Sequence, residues 1–290
     1  MSELQYHVDG ELLAESEATV SVRDRGFMYG DGVFETMRIY GGEIFEWGAH
    51  AERLRRSCET LGFADALPEK EDLHSRIDET LAANELTDAY AKLSVTRGVQ
   101  PGKLTPDPAV DPTIVVFVSP LPRGGVGGQR VWDDPATLDT VEQRKVPDSA
   151  LPAGAKTHNY LNNILARLEL RGSDADEAIV QSVDGLLAEG ATSNLYFLDG
   201  ETLHTPSEAV PLLPGITRNV VLELADEAGI PVETGAYEPD RLADASEVFV
   251  TNSTWEIRPV TSVDGRAYEI GPVTRELQGQ FDERVEQLYG

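Results

Sequence analysis

The sequence predicts an α/β (α+β) protein of two domains, a small N-terminal one and a larger C-terminal one. Three observations lead there. Segments that alternate apolar and polar residues are interleaved with amphipathic helical stretches along the whole chain. Near the middle, Pro120-Leu121-Pro122-Arg123-Gly124-Gly125-Val126-Gly127-Gly128 interrupts them, and so glycine- and proline-rich a run does not easily pack as core. The 290 residues are enough for one large domain or two ordinary ones. The expected division is therefore residues 1–119, a linker at 120–129, and residues 130–290.

In the first half, residues 6–14 alternate around Asp9-Gly10, a hairpin-turn dipeptide. Residues 19–22 are expected as a further short strand. From Arg23 the chain carries Gly26, Gly30 and Gly32, which permit tight turns or close approach to a ligand. It then runs as a strand to Tyr40 and stops at Gly41-Gly42. Residues 49–61 set Leu54, Cys58 and Leu61 on one helical face, and the same helix carries Arg53, Arg55 and Arg56. A second helix is expected over 68–83, with Pro68 near its first turn. Residues 90–97 alternate like a strand, 98–112 form a loop, and 113–119 form an apolar strand.

The second half opens with short strands expected near 130–132 and 141–146. A loop carrying Lys156 and a helix to Arg171 follow. Strands at 178–180 and 186–189 flank the turn Asp184-Gly185, and 194–198 and 202–204 form a hairpin over Asp199-Gly200. A helix starts near Gly215. A strand over 247–253 ends in hydroxyl residues, a hairpin spans 259–265, and a helix over 272–288 closes the chain.

Charge narrows the function classes. Lys and Arg number 24 against 51 Asp and Glu, a formal net charge of −27. That balance argues against nucleic-acid binding, which needs clustered cations to displace counterions. The acids are spread along the chain, as expected of a protein that works in high salt, where self-repulsion is screened. No apolar run approaches the length of a membrane span, and the N-terminus has no secretory pattern. Cys58 is the single cysteine, which fits a cytosolic enzyme without intrachain disulfides. No histidine, cysteine or acid cluster has metal-ligand spacing.

The chain has five lysines, and Lys156 stands among polar and aromatic residues in Lys156-Thr157-His158-Asn159-Tyr160-Leu161-Asn162-Asn163, at the mouth of an amphipathic helix. Placed there, it is a candidate to hold an aldehyde cofactor as a Schiff base, since an amine forms a reversible imine and then carries a proton. Pyridoxal 5'-phosphate would also need an acid for its ring nitrogen, an anion site, and a donor to its phenolic oxygen. Glu189 at a strand end, the helix start Gly215-Ile216-Thr217 with Ser253, and Tyr160 are the respective candidates. A hydrolase reading finds no nucleophile elbow at Ser193 or Ser253.

These residues carry a resemblance. Tyr29-Gly30-Asp31-Gly32-Val33-Phe34-Glu35-Thr36 with Arg38, His50-Ala51-Glu52-Arg53-Leu54, the Lys156 segment, and Glu189-Gly190-Ala191-Thr192-Ser193-Asn194 stand in the order found in class IV aminotransferases. Leu213-Pro214-Gly215-Ile216-Thr217-Arg218 and Thr251-Asn252-Ser253 add two more such segments. The chain thus resembles that family of pyridoxal phosphate enzymes. The resemblance implies a two-domain fold with the cofactor between domains, in a homodimer. It assigns the Schiff base to Lys156, the pyridinium contact to Glu189, and the phenolate contact to Tyr160. Phosphate contacts go to Arg53, Ile216, Thr217 and Ser253, with Gly215 beside them as a further cofactor-binding residue. Substrate contacts are expected from Tyr29, Phe34, Thr36 and Lys92.

Within the family the motifs lean toward aminodeoxychorismate lyases. Phe34 and Gly102-Lys103-Leu104 depart from the carboxylate trap of the D-amino acid branch. Phe34-Glu35-Thr36 and Lys156-Thr157-His158-Asn159-Tyr160 depart from the branched-chain pattern. The preferred expectation is 4-amino-4-deoxychorismate lyase, releasing 4-aminobenzoate and pyruvate. A transaminase for branched-chain or related amino acids is the alternative, and a non-catalytic relative is a third.

Overall fold

A computed structural model describes residues 3–123, 132 and 134–287. Most of the expected linker, at 124–129, and residues 130 and 131 of an expected strand lie outside the described residues. The chain divides into two compact units. The first is drawn from Met1–Val131 and Ala155–Asn159, the second from Trp132–Gly154 and Tyr160–Leu288. The return of 155–159 to the first unit differs from a single cut near 120–129. Its physical cause is backbone pairing with the strand over Gly32–Tyr40: the Phe34 N–H donates to the Lys156 carbonyl at 3.0 Å, and the His158 N–H to that of Gly32 at 2.8 Å.

The first unit is a six-stranded antiparallel sheet under helices. In chain order it comprises β1 (Gln5–Val8), β2 (Glu11–Ala14), α1 (Arg25–Tyr29), β3 (Gly32–Tyr40), β4 (Glu43–Ile44), α2 (Trp47–Leu61), α3 (Lys70–Ala83), β5 (Ala89–Thr96) and β6 (Ile114–Pro120). The strand order is β2-β1-β6-β5-β3-β4. Alternation gives β3 two faces. Val33, Met37 and Ile39 join Leu54, Cys58, Leu73 and Ile77 in one apolar core. Phe34, Thr36, Arg38 and Tyr40 take the opposite face. Register sets Thr36 against Lys92 and Arg38 against Tyr90, and Lys92 against Phe117.

Helix α1 is not foreseen by the sequence pattern. Asp24 caps it, accepting from the Gly26 N–H at 2.7 Å, and Gly30 ends it at φ 70°. A Cβ on Gly26 would meet Thr96 Cγ2 at 2.3 Å, so the glycine there serves close packing. The strand expected over 19–22 does not form. Val20 and Val22 are 48% and 73% exposed, so the alternation of these valines does not mark a buried face.

The second unit holds a nine-stranded mixed sheet. It comprises β7 (Ala136–Arg144), α4 (Leu161–Glu169), β8 (Glu177–Gln181), β9 (Leu187–Gly190), β10 (Asn194–Asp199), β11 (Thr202–Pro206), α5 (Ile216–Glu227), β12 (Val232–Gly235), α6 (Arg241–Asp244), β13 (Glu247–Asn252), β14 (Glu256–Val263), β15 (Arg266–Ala267) and α7 (Pro272–Gln287). The order is β12-β11-β10-β13-β14-β7-β8-β9, with β15 on β14. The strand expected over 141–146 runs earlier, as β7. Strand β8 is buried throughout, and its Ala178-Ile179-Val180 run is continuously apolar, as in strands covered on both faces.

Candidate active site

On α2, His50, Arg53 and Ser57 recur at helical spacing and all point inward. Arg53 is expected to turn inward to an anion. It is 3% exposed, and an anion it meets is Glu35 on β3: Nε donates to Oε1 at 2.9 Å and Nη2 to Oε2 at 2.6 Å. His50 Nδ1 lies 2.7 Å from Glu35 Oε2. Burial, then the charges of Arg53 and Lys156, hold His50 below its ordinary value despite Glu35. The contact is therefore a neutral imidazole donating Nδ1–H to a carboxylate, which can only accept. Burial alone would raise the Glu35 carboxyl. The Arg53 guanidinium and the bonds from Arg53 and His50 win, and it falls to about 2.

Ser57 ties this face to the lysine segment. Its hydroxyl donates to the Arg53 carbonyl at 2.9 Å and accepts the Lys156 N–H at 3.1 Å. Lys156 is thus fixed through its backbone by Ser57 and β3, while its Nζ stands 4.6 Å from the centre of the Phe34 ring. Lys92 Nζ stands 4.4 Å from the same centre. Burial, then the charge of Lys156, lowers the Lys92 amine. Burial, then the charge of Lys92, lowers His158 to about 4, so that imidazole is neutral.

Arg38 belongs to the first motif but has no role assigned by the sequence. It is 2% exposed, and its Nε and Nη1 have no hydrogen-bond partner. A buried unsatisfied guanidinium is costly unless it serves a ligand. On β3 it lies two residues from Thr36 and diagonal to Lys92, within reach across a strand pair. Tyr29 stands at the end of α1, 39% exposed, with the Arg25 guanidinium 5.0 Å from its ring centre.

The second unit brings several expected residues together. Glu189 is 4% exposed, and its two oxygens are held separately. Lys145 forms an ion pair with Oε1, while Oε2 accepts the Leu213 N–H at 3.0 Å and the Asn194 side-chain amide at 3.4 Å. Burial alone would lower the Lys145 amine, but the Glu189 charge, with smaller help from Tyr160 and Asp148, holds it above its ordinary value. Asn194 also donates to the Leu213 carbonyl at 2.9 Å. A Cβ on Gly215 would lie 2.0 Å from Asn194 Oδ1. Glu189, Asn194 and the start of α5 are therefore one continuous structure.

That helix start suits an anion. Gly215 supplies no side-chain cap, and the first turn has no acid. The amides of Ile216 and Thr217 have no partner within the helix, and both residues are buried. Ser253 lies in the turn after β13, partly buried. Two residues earlier, Thr251 Oγ1 is buried without a hydrogen-bond partner. Tyr160 precedes α4 as its N-cap residue. Lys145 and Asn194, which hold Glu189, and Thr251, beside Ser253, are residues to which sequence reasoning gives no role. Only the scarcity of lysine could have pointed to Lys145, since nothing local to it marks a site. Among the described residues no cluster could hold a metal ion, and no helix is long and apolar enough to cross a membrane.

Comparison with known proteins adds to this geometry. A family model described as amino-transferase class IV matches residues 32–263. A "Putative branched-chain-amino-acid aminotransferase" of Methanocaldococcus jannaschii is 36% identical, over 96% of this chain and 95% of its own. A D-alanine aminotransferase of Bacillus licheniformis is 33% identical over 93% of both. An aminodeoxychorismate lyase of Bacillus subtilis is 31% identical over 97% and 95%. The branched-chain aminotransferase of Thermoproteus uzoniensis, solved with norvaline, superposes with a TM-score of 0.89 at 29% identity, covering 98% of this chain and 95% of its own. The T.th. branched-chain aminotransferase, solved with pyridoxamine 5'-phosphate, gives 0.88 at 27%, with the same coverage.

Proposed function

We propose that this chain, which belongs to the class IV aminotransferase family, uses pyridoxal 5'-phosphate to act on an amino substrate bearing two carboxylates, and that its reaction is that of 4-amino-4-deoxychorismate lyase. The observation that carries the substrate reading is the pair of cations on one face of the first sheet. Arg38 is buried with two unsatisfied nitrogens, and among the described residues Lys92 forms no ion pair with an acid. Phe34 and Thr36 share that face. Aromatic, hydroxyl and cationic groups so arranged suit a carboxylated ring. The lyase substrate carries one carboxylate on its ring and one on the enolpyruvyl arm.

The residues fit the cofactor. Lys156 would link to its aldehyde and afterwards move the substrate's proton as a free amine. Glu189, kept in place by Lys145, Asn194 and Leu213, would accept the ring N–H; a carboxylate has lone pairs for all of these. The amides of Ile216 and Thr217 beside Gly215, the hydroxyls of Thr217 and Ser253, and Arg53 would take the phosphate. Tyr160 would meet the phenolic oxygen. Once bound, the ring serves as an electron sink for the bond broken at the substrate α-carbon. The negative charge of Glu189 would hold the proton on the ring nitrogen, which keeps that sink effective.

A transaminase reading is favoured by a different observation, the 36% identity to the Methanocaldococcus jannaschii relative. One assay separates the two. Purified protein is given aminodeoxychorismate, and separately leucine with 2-oxoglutarate. Release of 4-aminobenzoate and pyruvate supports the lyase. Glutamate formation alone overturns it in favour of the transaminase. The homodimer belongs to the same proposal. Leu161, Ile164, Leu165 and Leu168 form a stripe on α4, each between 38% and 59% exposed, and a second copy of the chain would cover it. Sedimentation as a monomer at micromolar concentration would count against that.

A further inference from the structure

Two amines meet at one ring. Lys92 Nζ and Lys156 Nζ lie 4.4 and 4.6 Å from the centre of Phe34, and Lys92 is also 5.8 Å from that of Phe117. Neither amine is placed by chance. Lys92 stands on β5, an interior strand, between Thr36 and Phe117. Lys156 is anchored by Ser57 and the Phe34 amide. An aromatic face attracts a cation, but it does not cancel repulsion between two of them in partly dry surroundings.

The other charged and titratable groups of the first unit around this pair are Arg38 and Tyr90 on the Lys92 face of the sheet, His50 and Arg53 on α2 with Glu35 beneath them on β3, and His158 with Asp24 in reach of it. Burial holds the Tyr90 phenol above its ordinary value, so it carries no charge. Glu35 and Arg53 neutralise one another. Burial and the neighbouring cations hold His50 and His158 below their ordinary values, and both stay neutral. The charges beside Lys92 are then cationic: Arg38, diagonal to it across β3 and β5, and Lys156 at the same ring.

We propose that Lys92 tunes Lys156: its ammonium repels charge on the Lys156 nitrogen, so that Lys156 sheds its proton more readily and works as a neutral amine near neutral pH. This rests on the reading of Lys156 as the cofactor lysine. Only the neutral amine is nucleophilic, and a neighbouring cation is one way to supply it. Repulsion of this kind is mutual, so the charge of Lys156 that lowers Lys92 acts in reverse. Lys92 is thereby a positioning and tuning residue in addition to a carboxylate contact. A substrate carboxylate arriving at Lys92 would offset its charge and return basicity to the Lys156 nitrogen when that nitrogen must take up a proton.

The test is the pH titration of visible absorbance in the full-length, cofactor-loaded protein, whose band moves as the proton leaves the Lys156 nitrogen. Lys92→Met should raise the midpoint by about one pH unit at low ionic strength. Lys92→Arg, which keeps the charge, should stay near the native midpoint. Lys92→Gln serves as the neutral variant if the methionine form does not fold. Borohydride reduction of the same samples reports where the cofactor sits. Pyridoxyl on Lys156 with a native midpoint in the neutral variants overturns the tuning role alone. Pyridoxyl on another residue overturns the site reading beneath it.

Discussion

Glu35 and Arg53 face each other as a buried two-bond fork, Nε to Oε1 at 2.9 Å and Nη2 to Oε2 at 2.6 Å, with Glu35 wholly inaccessible to solvent. The fork fixes the arginine proposed to meet the phosphate, and it makes stability depend on acid. The Glu35 carboxyl is held at about 2 against an ordinary 4.5. A group whose folded value is depressed stabilises fully above its unfolded value and loses that stabilisation as pH falls through the folded one.

The contribution should therefore be present above pH 4.5 and vanish toward pH 2, at a magnitude on the order of 3 kcal/mol. His158, held at about 4 against 6.5, adds a loss that begins at milder acidity. Glu35→Gln should lower unfolding free energy at neutral pH by about 3–5 kcal/mol, because Arg53 is left buried without its countercharge. It should also flatten the dependence below pH 4.5. Chemical denaturation across pH measures both. An unchanged acid slope would contradict the pairing.

Glu189 sits in a ready-made cradle of Lys145, Leu213 and Asn194. Glu189→Gln keeps the shape and removes the charge. The protein should still bind the cofactor, while kcat falls by about 10²-fold or more, the low end of what the proton transfer itself contributes, because the ring is a poorer electron sink. Single-turnover absorbance measurements separate the two effects. Full turnover in the variant would show that the ring is stabilised by some other group.

Gly215 has no room for a side chain, since a Cβ there falls 2.0 Å from Asn194 Oδ1. Gly215→Ala must push Asn194 away from Glu189 or pull the α5 start out of place. Overpacking of this kind costs about 1–3 kcal/mol. Weaker cofactor binding should accompany it, read as the Kd from titration of stripped protein. Native affinity in this variant would mean that the helix start does not hold the phosphate.

The net charge of −27 predicts a salt-dependent fold. Screening by molar salt should raise Tm well above its value in dilute buffer, where self-repulsion is strongest. Equal Tm values in both would remove the case for a high-salt habitat.

The fold's main strands and helices are legible in the sequence because their patterns are periodic or sharply bounded: β5 and α2 each bury a regular face, and β3, buried on both faces, stops at Gly41-Gly42. Helix α1 is not, because its five residues look like a glycine-bearing turn until Asp24 is seen to cap them. Residues 19–22 mislead because alternation marks a strand only where there is something to pair with. Among the candidate residues, Lys156 in the first unit and Glu189 and the 215–217 turn in the second stand out by residue type at element ends. Lys145 and Asn194 do not, since their roles come from contacts with Glu189 that only the folded chain makes. Arg38 is visible but mute: its orphaned nitrogens are a property of packing.

The proposed chemistry depends on the amine at Lys156, and borohydride reduction followed by peptide mass spectrometry shows whether that amine holds the cofactor. The freshly purified protein should be yellow, and reduction should bleach it and leave one pyridoxyl group on Lys156. Lys156→Ala should keep a cooperative fold and show no turnover. Label found on Lys92 or Lys145 instead, or full activity in Lys156→Ala, would contradict the assignment.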